Sequence, residues 1–240
     1  MLVFIICTFL KKYGNQLWMK ANLKTIRFFK ANFHGFLAIL LVGFMLFVPN
    51  WTSAQNLQLN YKIVRYGKEI GWLKLEKTTV GNTSVLLLVS EIKTKIVFPI
   101  TFFSKESSTF EKGKLVCSTQ IRKFNGSVKS EKQTRLLRNE YEVTANGEKE
   151  KLSFATITEN LLSLYFQEPI NSKWVYCDNQ QCFVKVAKTD DGGYKVQFPN
   201  GNVNCFYYKE GVCVKVKIVH GFYSAEVILD PLNKSYASNR

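Results

Sequence analysis

From Leu57 the chain alternates apolar and polar positions. Leu57, Leu59, Tyr61 and Ile63 stand between Gln58, Asn60, Lys62 and Val64. Side chains two apart in a strand share a face, so the run predicts a half-buried strand. Tyr66-Gly67-Lys68 reads as a turn, Ile70–Lys77 as a second strand and Gly81-Asn82 as the next turn. Val85–Ile92, VLLLVSEI, is richer in apolar residues, as a central strand would be. Ile96, Phe98, Ile100 and Phe102 alternate again. Pro99 lies among them without an N–H to donate, which predicts a sheet edge or a bulge there. Lys112-Gly113 leads into Leu115–Phe124. Asn125-Gly126 is the strongest hairpin signal of the first half, because both residues accept positive φ. Val128–Arg138 and Tyr141–Thr144 follow, and Asn146-Gly147 turns the chain again. Lys129–Arg138 is mostly polar, which predicts an exposed or poorly ordered strand.

At Thr156 the period changes. Ile157, Leu161, Leu164 and Tyr165 fall on one helical face, Thr156 is placed to cap the N-terminus with Glu159 three residues on, and Pro169 would end the helix. One amphipathic helix over about 156–166 is therefore expected, plugging a barrel end or covering an open edge; a partner-binding helix is the other use of such a segment. Short alternating runs then resume at Lys173–Cys177, Cys182–Lys188, Tyr194–Phe198, Val203–Tyr208, Val212–Val219 and Phe222–Leu229. Within Tyr194–Val219 two turns, Pro199-Asn200-Gly201 and Lys209-Glu210-Gly211, separate three of these runs. Tyr194, Val196, Phe198, Phe206, Tyr208, Val212, Val214, Val216 and Ile218 are assigned to the inward face. Roughly a dozen strands in one meander are too many for a flat sheet. The expected fold is an all-β antiparallel meander forming a strongly curved sheet or barrel with the one helix, over 55–229, ahead of a polar tail at 230–240.

The first 54 residues carry another signal. Phe36–Val48 is a 13-residue apolar run preceded by Lys20, Lys24, Arg27 and Lys30 and followed by Thr52-Ser53-Ala54. A basic flank, a short apolar run and small residues at the exit make a secretory signal peptide, cleaved after Ala54. The run is shorter than the roughly 20 residues a spanning helix needs, so no membrane span is expected after cleavage. Met1–Trp18 has a second apolar start; either translation begins at Met19 or the N-terminus is anchored. Cleavage would remove six basic residues and no acidic ones, lowering the net charge from +15 to +9. The remaining charges are interspersed, as in Glu148-Lys149-Glu150-Lys151, whereas a nucleic-acid site clusters its basic residues. No nucleic-acid partner is expected; attraction to anionic envelope surfaces is.

The cysteines are the obvious candidates for chemistry. Five remain after Ala54: Cys117, Cys177, Cys182, Cys205 and Cys213. Cys177 and Cys182 flank a four-residue loop, and the register that puts Val175, Val184 and Val186 on one apolar face also sets the two thiols opposite each other. A Cys177–Cys182 disulfide is expected in an oxidising compartment. A three-residue loop at Lys209–Gly211 would leave Cys213 diagonal to Cys205 and out of bonding reach; a two- or four-residue loop would put them on opposite faces. The spacings of 177, 182, 205 and 213 are not those of a zinc site, and no metal or cofactor is expected. His220 is the one histidine after Ala54 and reads as an ordinary surface position. A nucleophile needs a base beside it, so catalytic residues are not assigned. The aromatic residues, Tyr61, Phe98, Phe102, Trp174 and Phe206 among them, read as core, although a barrel of this size could enclose an apolar ligand.

The succession LLSLYFQEP, then YKVQFPNGNVNCFYYKEGVC, after the opening YKIVRYGKEIGWLKLEK, resembles an uncharacterised family of secreted bacterial proteins known only as a domain of unknown function. That family is similar to a second unknown-function family of periplasmic β-proteins with a D-x-L-S-x-x-Y helix motif. The resemblance covers most of 57–229. Cys177 and Phe206 stand where the pattern has a serine and a tyrosine, and an acidic residue and a glycine are missing near Asn179. The resemblance implies an all-β fold and a secreted or periplasmic location, and brings no activity or ligand. The expected role is non-catalytic envelope-associated binding or maintenance, with an apolar-ligand carrier as the alternative and a hydrolase third.

Overall fold

The computed structural model describes residues 54–95, 98–152, 156–221 and 223–231. The expected signal peptide, up to its last residue, and nearly all of the polar tail lie outside these residues. Fourteen antiparallel strands are found among the described residues. The first eight are β1 (Gln55–Arg65), β2 (Lys68–Val80), β3 (Thr83–Lys95), β4 (Pro99–Glu111), β5 (Lys114–Phe124), β6 (Ser127–Leu137), β7 (Glu140–Ala145) and β8 (Glu148–Leu152). The remaining six are β9 (Trp174–Cys177), β10 (Cys182–Lys188), β11 (Tyr194–Gln197), β12 (Val203–Lys209), β13 (Val212–His220) and β14 (Tyr223–Leu229). Each pairs with its sequence neighbours, except that β8 and β9 do not pair and β1 pairs with β14. The result is one curved all-β sheet, open between β8 and β9, two strands consecutive in sequence. Residues 156–173 of the segment joining them cover part of that opening.

The alternation sets the faces. Leu59, Tyr61 and Ile63 of β1 are buried against Leu73 and Leu75 of β2. The hairpins turn where the sequence allows positive φ: Asn125 and Gly126 have φ of 47° and 82°, and Glu210 and Gly211 of 52° and 78°, the mirror-image turns that match strand twist. Pro99 is neither at an edge nor in a bulge. It is the first residue of β4, opposite Lys95, a position that needs no donor. β4 also runs on to Glu111 and β8 exists, both without apolar alternation to announce them.

Two other expectations are corrected. The 156–166 stretch is not an amphipathic helix; only Ser163–Tyr165 forms a 3₁₀ turn. The Tyr176 N–H donates to the Glu159 carbonyl at 3.0 Å and the Leu161 N–H to the Tyr176 carbonyl at 3.0 Å, and the Leu115 N–H reaches the Ile157 carbonyl at 2.8 Å. The open edge of β9 and the irregular start of β5 hold buried polar groups that would otherwise go unpaired, and satisfying them outweighs helical propensity. The capping exchange expected of Thr156 and Glu159 forms four residues later instead: Ser163 N–H donates to Asn160 Oδ1 at 3.0 Å, and Asn160 N–H to Ser163 Oγ at 3.1 Å. The second correction concerns β13. A register shift beside Tyr207 and Tyr208 sets Tyr208 opposite Cys213 and Tyr207 opposite Lys215. The bulge moves Cys213 into the core in place of Val214.

Candidate functional site

The concave interior has two chemically distinct parts. Under β1, β12 and β13 it is apolar, and the chain fills it. Tyr165 makes edge contacts with Tyr61 and Phe206 at centroid distances of 5.6 and 5.7 Å. Leu164 is buried, and its carbonyl accepts from Tyr208 Oη at 2.8 Å. The other part is polar. All six buried polar residues among those described lie there: Ser108 on β4, Ser118 and Gln120 on β5, Thr134 on β6, Asn160 on the crossing segment and Asp178 just after β9.

Asn160 organises this cluster. Its Nδ2 donates to Ser108 Oγ at 2.7 Å and to Asp178 Oδ2 at 2.8 Å, while its Oδ1 takes the Ser163 N–H. The amide is thereby satisfied, and it ties the crossing segment to β4 and to the end of β9. Beside it, Glu106 Oε1 accepts from Gln120 Nε2 at 2.7 Å and from Ser104 Oγ at 3.3 Å, and stands 3.5 Å from an Arg122 guanidinium nitrogen. Burial pushes the Asp178 carboxyl up to about 7, with the negative charge of Glu106 adding to the rise; the Ser118 hydroxyl and Asn160 amide act against it. Gln120 Oε1 in this region is buried with no hydrogen-bond partner.

The residues singled out by sequence fare differently. Cys177 and Cys182 face each other in the β9–β10 ladder, flanked by Val175 opposite Val184, as the register argument requires. Both are free thiols in this structure. Burial raises the Cys177 thiol to about 12 and also raises Cys182, so neither offers a ready thiolate at neutral pH. Cys205 and Cys213 lie on opposite faces, the outcome expected of a two-residue loop, and Cys213 too is pushed up to about 12 by burial. The four cysteines are not brought together, and among the described residues no group of three or more His, Cys, Asp or Glu side chains could hold a metal ion. His220 is not a plain surface residue. It is half-buried, its ring 4.7 Å from that of Tyr223, and burial together with the Arg122 charge lowers its pKa. Of the aromatic residues read as core, Tyr61 and Phe206 are buried while Phe98, Phe102 and Trp174 are exposed.

A family model described as a domain of unknown function (DUF6134) matches residues 61–230. The chain belongs to this family. No curated protein and no solved structure matches the chain. The matched stretch of the DUF6134 domain coincides with a structural closure: Tyr61 pairs with Leu229, and the Asp230 N–H donates to the Asn60 carbonyl at 2.8 Å. The polar cluster lies inside it and was missed by sequence reasoning. Asp178 and Asn160 each sit in stretches without alternation, and the one available sign was the failure of Ser104, Glu106, Ser108, Ser118 and Gln120 to be apolar at positions two apart.

Proposed function

We propose that this protein is exported, acts at the cell envelope without catalysing a reaction, and binds there a small ligand that donates hydrogen bonds. The observation that carries the reading is Gln120 Oε1, a buried acceptor without a hydrogen-bond partner in the polar half of the interior. Buried acceptors without partners are rare because each forfeits its hydration, and a bound donor group would restore it. The apolar half favours an apolar cargo less, since Tyr165 and Leu164 already occupy it. Export is supported by the apolar run Phe36–Val48 with its basic flank and small-residue exit. Among the described residues no helix is long and apolar enough to cross a membrane.

Native mass spectrometry of the protein recovered from its own envelope tests the binding. A small polar adduct is expected, reduced roughly fivefold to a hundredfold in Gln120→Leu, since one lost hydrogen bond with a stranded partner is worth about 1–3 kcal/mol. A bound lipid, or a bare protein, would overturn the reading. Osmotic-shock fractionation tests export separately; recovery in the cytoplasm would overturn that part.

A further inference from the structure

The β3–β4 hairpin reaches beyond its neighbours. The ladder of β2 to β3 ends at Gly71 and Ile92, and that of β4 to β5 at Phe102 and Phe124. Between β3 and β4 it continues through Lys93–Thr101, Thr94–Ile100 and Lys95–Pro99. The projecting end carries exposed phenylalanines. Phe98 is 74% exposed, and Phe102, in edge contact with Phe124 at 5.0 Å, is 45% exposed. From Glu91 to Glu106 the chain holds Lys93, Lys95 and Lys105 and no carboxylate in between. Lys93 is paired with Glu91 at 2.8 Å. Lys95 is exposed with no ion pair among the described residues, and Lys123 on the adjoining strand lies 5.8 Å over the Phe103 ring.

We infer that this projecting hairpin end docks edge-on against an anionic lipid bilayer, Phe98 and Phe102 entering the headgroup boundary while Lys95 and Lys123, on the sheet face opposite Phe102, meet lipid phosphates. Aromatic side chains partition into the bilayer interface, and basic residues beside them add attraction to anionic lipid. Lysine stems lie along apolar surface while the ammonium stays wet, which suits a bilayer boundary. A protein partner fits less well, because lysine is depleted from protein–protein interfaces. The inference relies on the envelope-side reading above only for where such a surface would be met.

Co-sedimentation of the purified protein with vesicles tests it without reference to localisation or to the internal ligand. Binding is expected to mixed phosphatidylcholine–phosphatidylglycerol vesicles, to fall at high salt, and to be far weaker on phosphatidylcholine alone. Phe98→Ser is expected to weaken it by roughly tenfold or more, the worth of one buried aromatic side chain. Lys95→Glu is expected to weaken it while leaving the melting temperature unchanged. A Phe98→Trp variant should show a blue shift of tryptophan emission on adding anionic vesicles. No binding to anionic vesicles, or binding indifferent to both Phe98→Ser and Lys95→Glu, overturns the inference. So does a Phe98→Ser variant whose oligomeric state changes in lipid-free buffer, which would assign the tip to a protein contact.

Discussion

Asp178 opens the polar loop Asp178–Gln181, where a solvated carboxylate is the ordinary expectation from sequence. Its burial is decided by residues far along the chain: Asn160 holds its Oδ2, and Ser118 and Glu106 act on it from β5 and β4. None of these is visible from its sequence neighbours. The consequence is testable through pH. Unfolded, the group releases its proton near its ordinary value of 3.8, and folded near about 7. Between those values the folded state holds a proton that the unfolded state lacks. The Asp178 contribution to stability is therefore full at low pH and declines as pH rises from about 4 to about 7, by up to about 1.4 kcal/mol per unit, then levels off. Asp178→Asn keeps an acceptor for Asn160 and should abolish this slope, making the variant more stable than wild type at about pH 8 and no more stable at about pH 4. Denaturant unfolding across that range measures it; equal slopes in the two proteins would contradict the assignment.

At the scale of elements, local pattern and long-range pairing compete, and the outcome differs from place to place. In β1 and in the β9–β10 hairpin they agree, and faces and register were legible. In 156–166 they disagree. Helical spacing is present, but the main-chain groups of Tyr176 and Leu115 hold Glu159, Leu161 and Ile157 by hydrogen bonds in an irregular conformation against the sheet. In β13 the alternation is right from Val216 on, but a bulge at Val214 changes the parity before it, a shift that no count of apolar positions shows. The β9–β10 register carries its own prediction. Cys177 and Cys182 are directly opposed, so oxidation should join them with little backbone movement. Mass spectrometry of the unreduced, alkylated protein should find both protected, and reduction should cost only about 1–3 kcal/mol because the loop is short. Free thiols at both positions after export would rule the bond out.

For the whole molecule the decisive fact is that the sheet's two edges, β8 and β9, are consecutive in the chain. Contacts across the opening come from side chains. Thr134 Oγ1 and Tyr176 Oη are 2.9 Å apart, Lys132 bonds the Asn179 carbonyl, and Gln181 Nε2 reaches the Gln133 and Thr144 carbonyls at 3.4 and 3.3 Å. If the Thr134–Tyr176 bond joins the two arms, Tyr176→Phe and Thr134→Val should each cost about 1–2 kcal/mol in unfolding free energy. The double variant should cost less than their sum, since removing both partners strands neither. Simple additivity would mean that the bond contributes nothing to closure. The sequence by itself determined the all-β class, most strand positions, the turn at Asn125-Gly126, the presence of a turn within Lys209–Gly211, and the opposition of Cys177 and Cys182. Those depend on side-chain alternation and on backbone angles that few residues accept, both local properties. Only the tertiary structure decided the pairing of β1 with β14, the unwound crossing segment, the bulge that buries Cys213 and the polar cluster around Asn160 and Asp178. Each of these depends on which buried polar groups and volumes meet across distant parts of the chain, and no local window contains both partners.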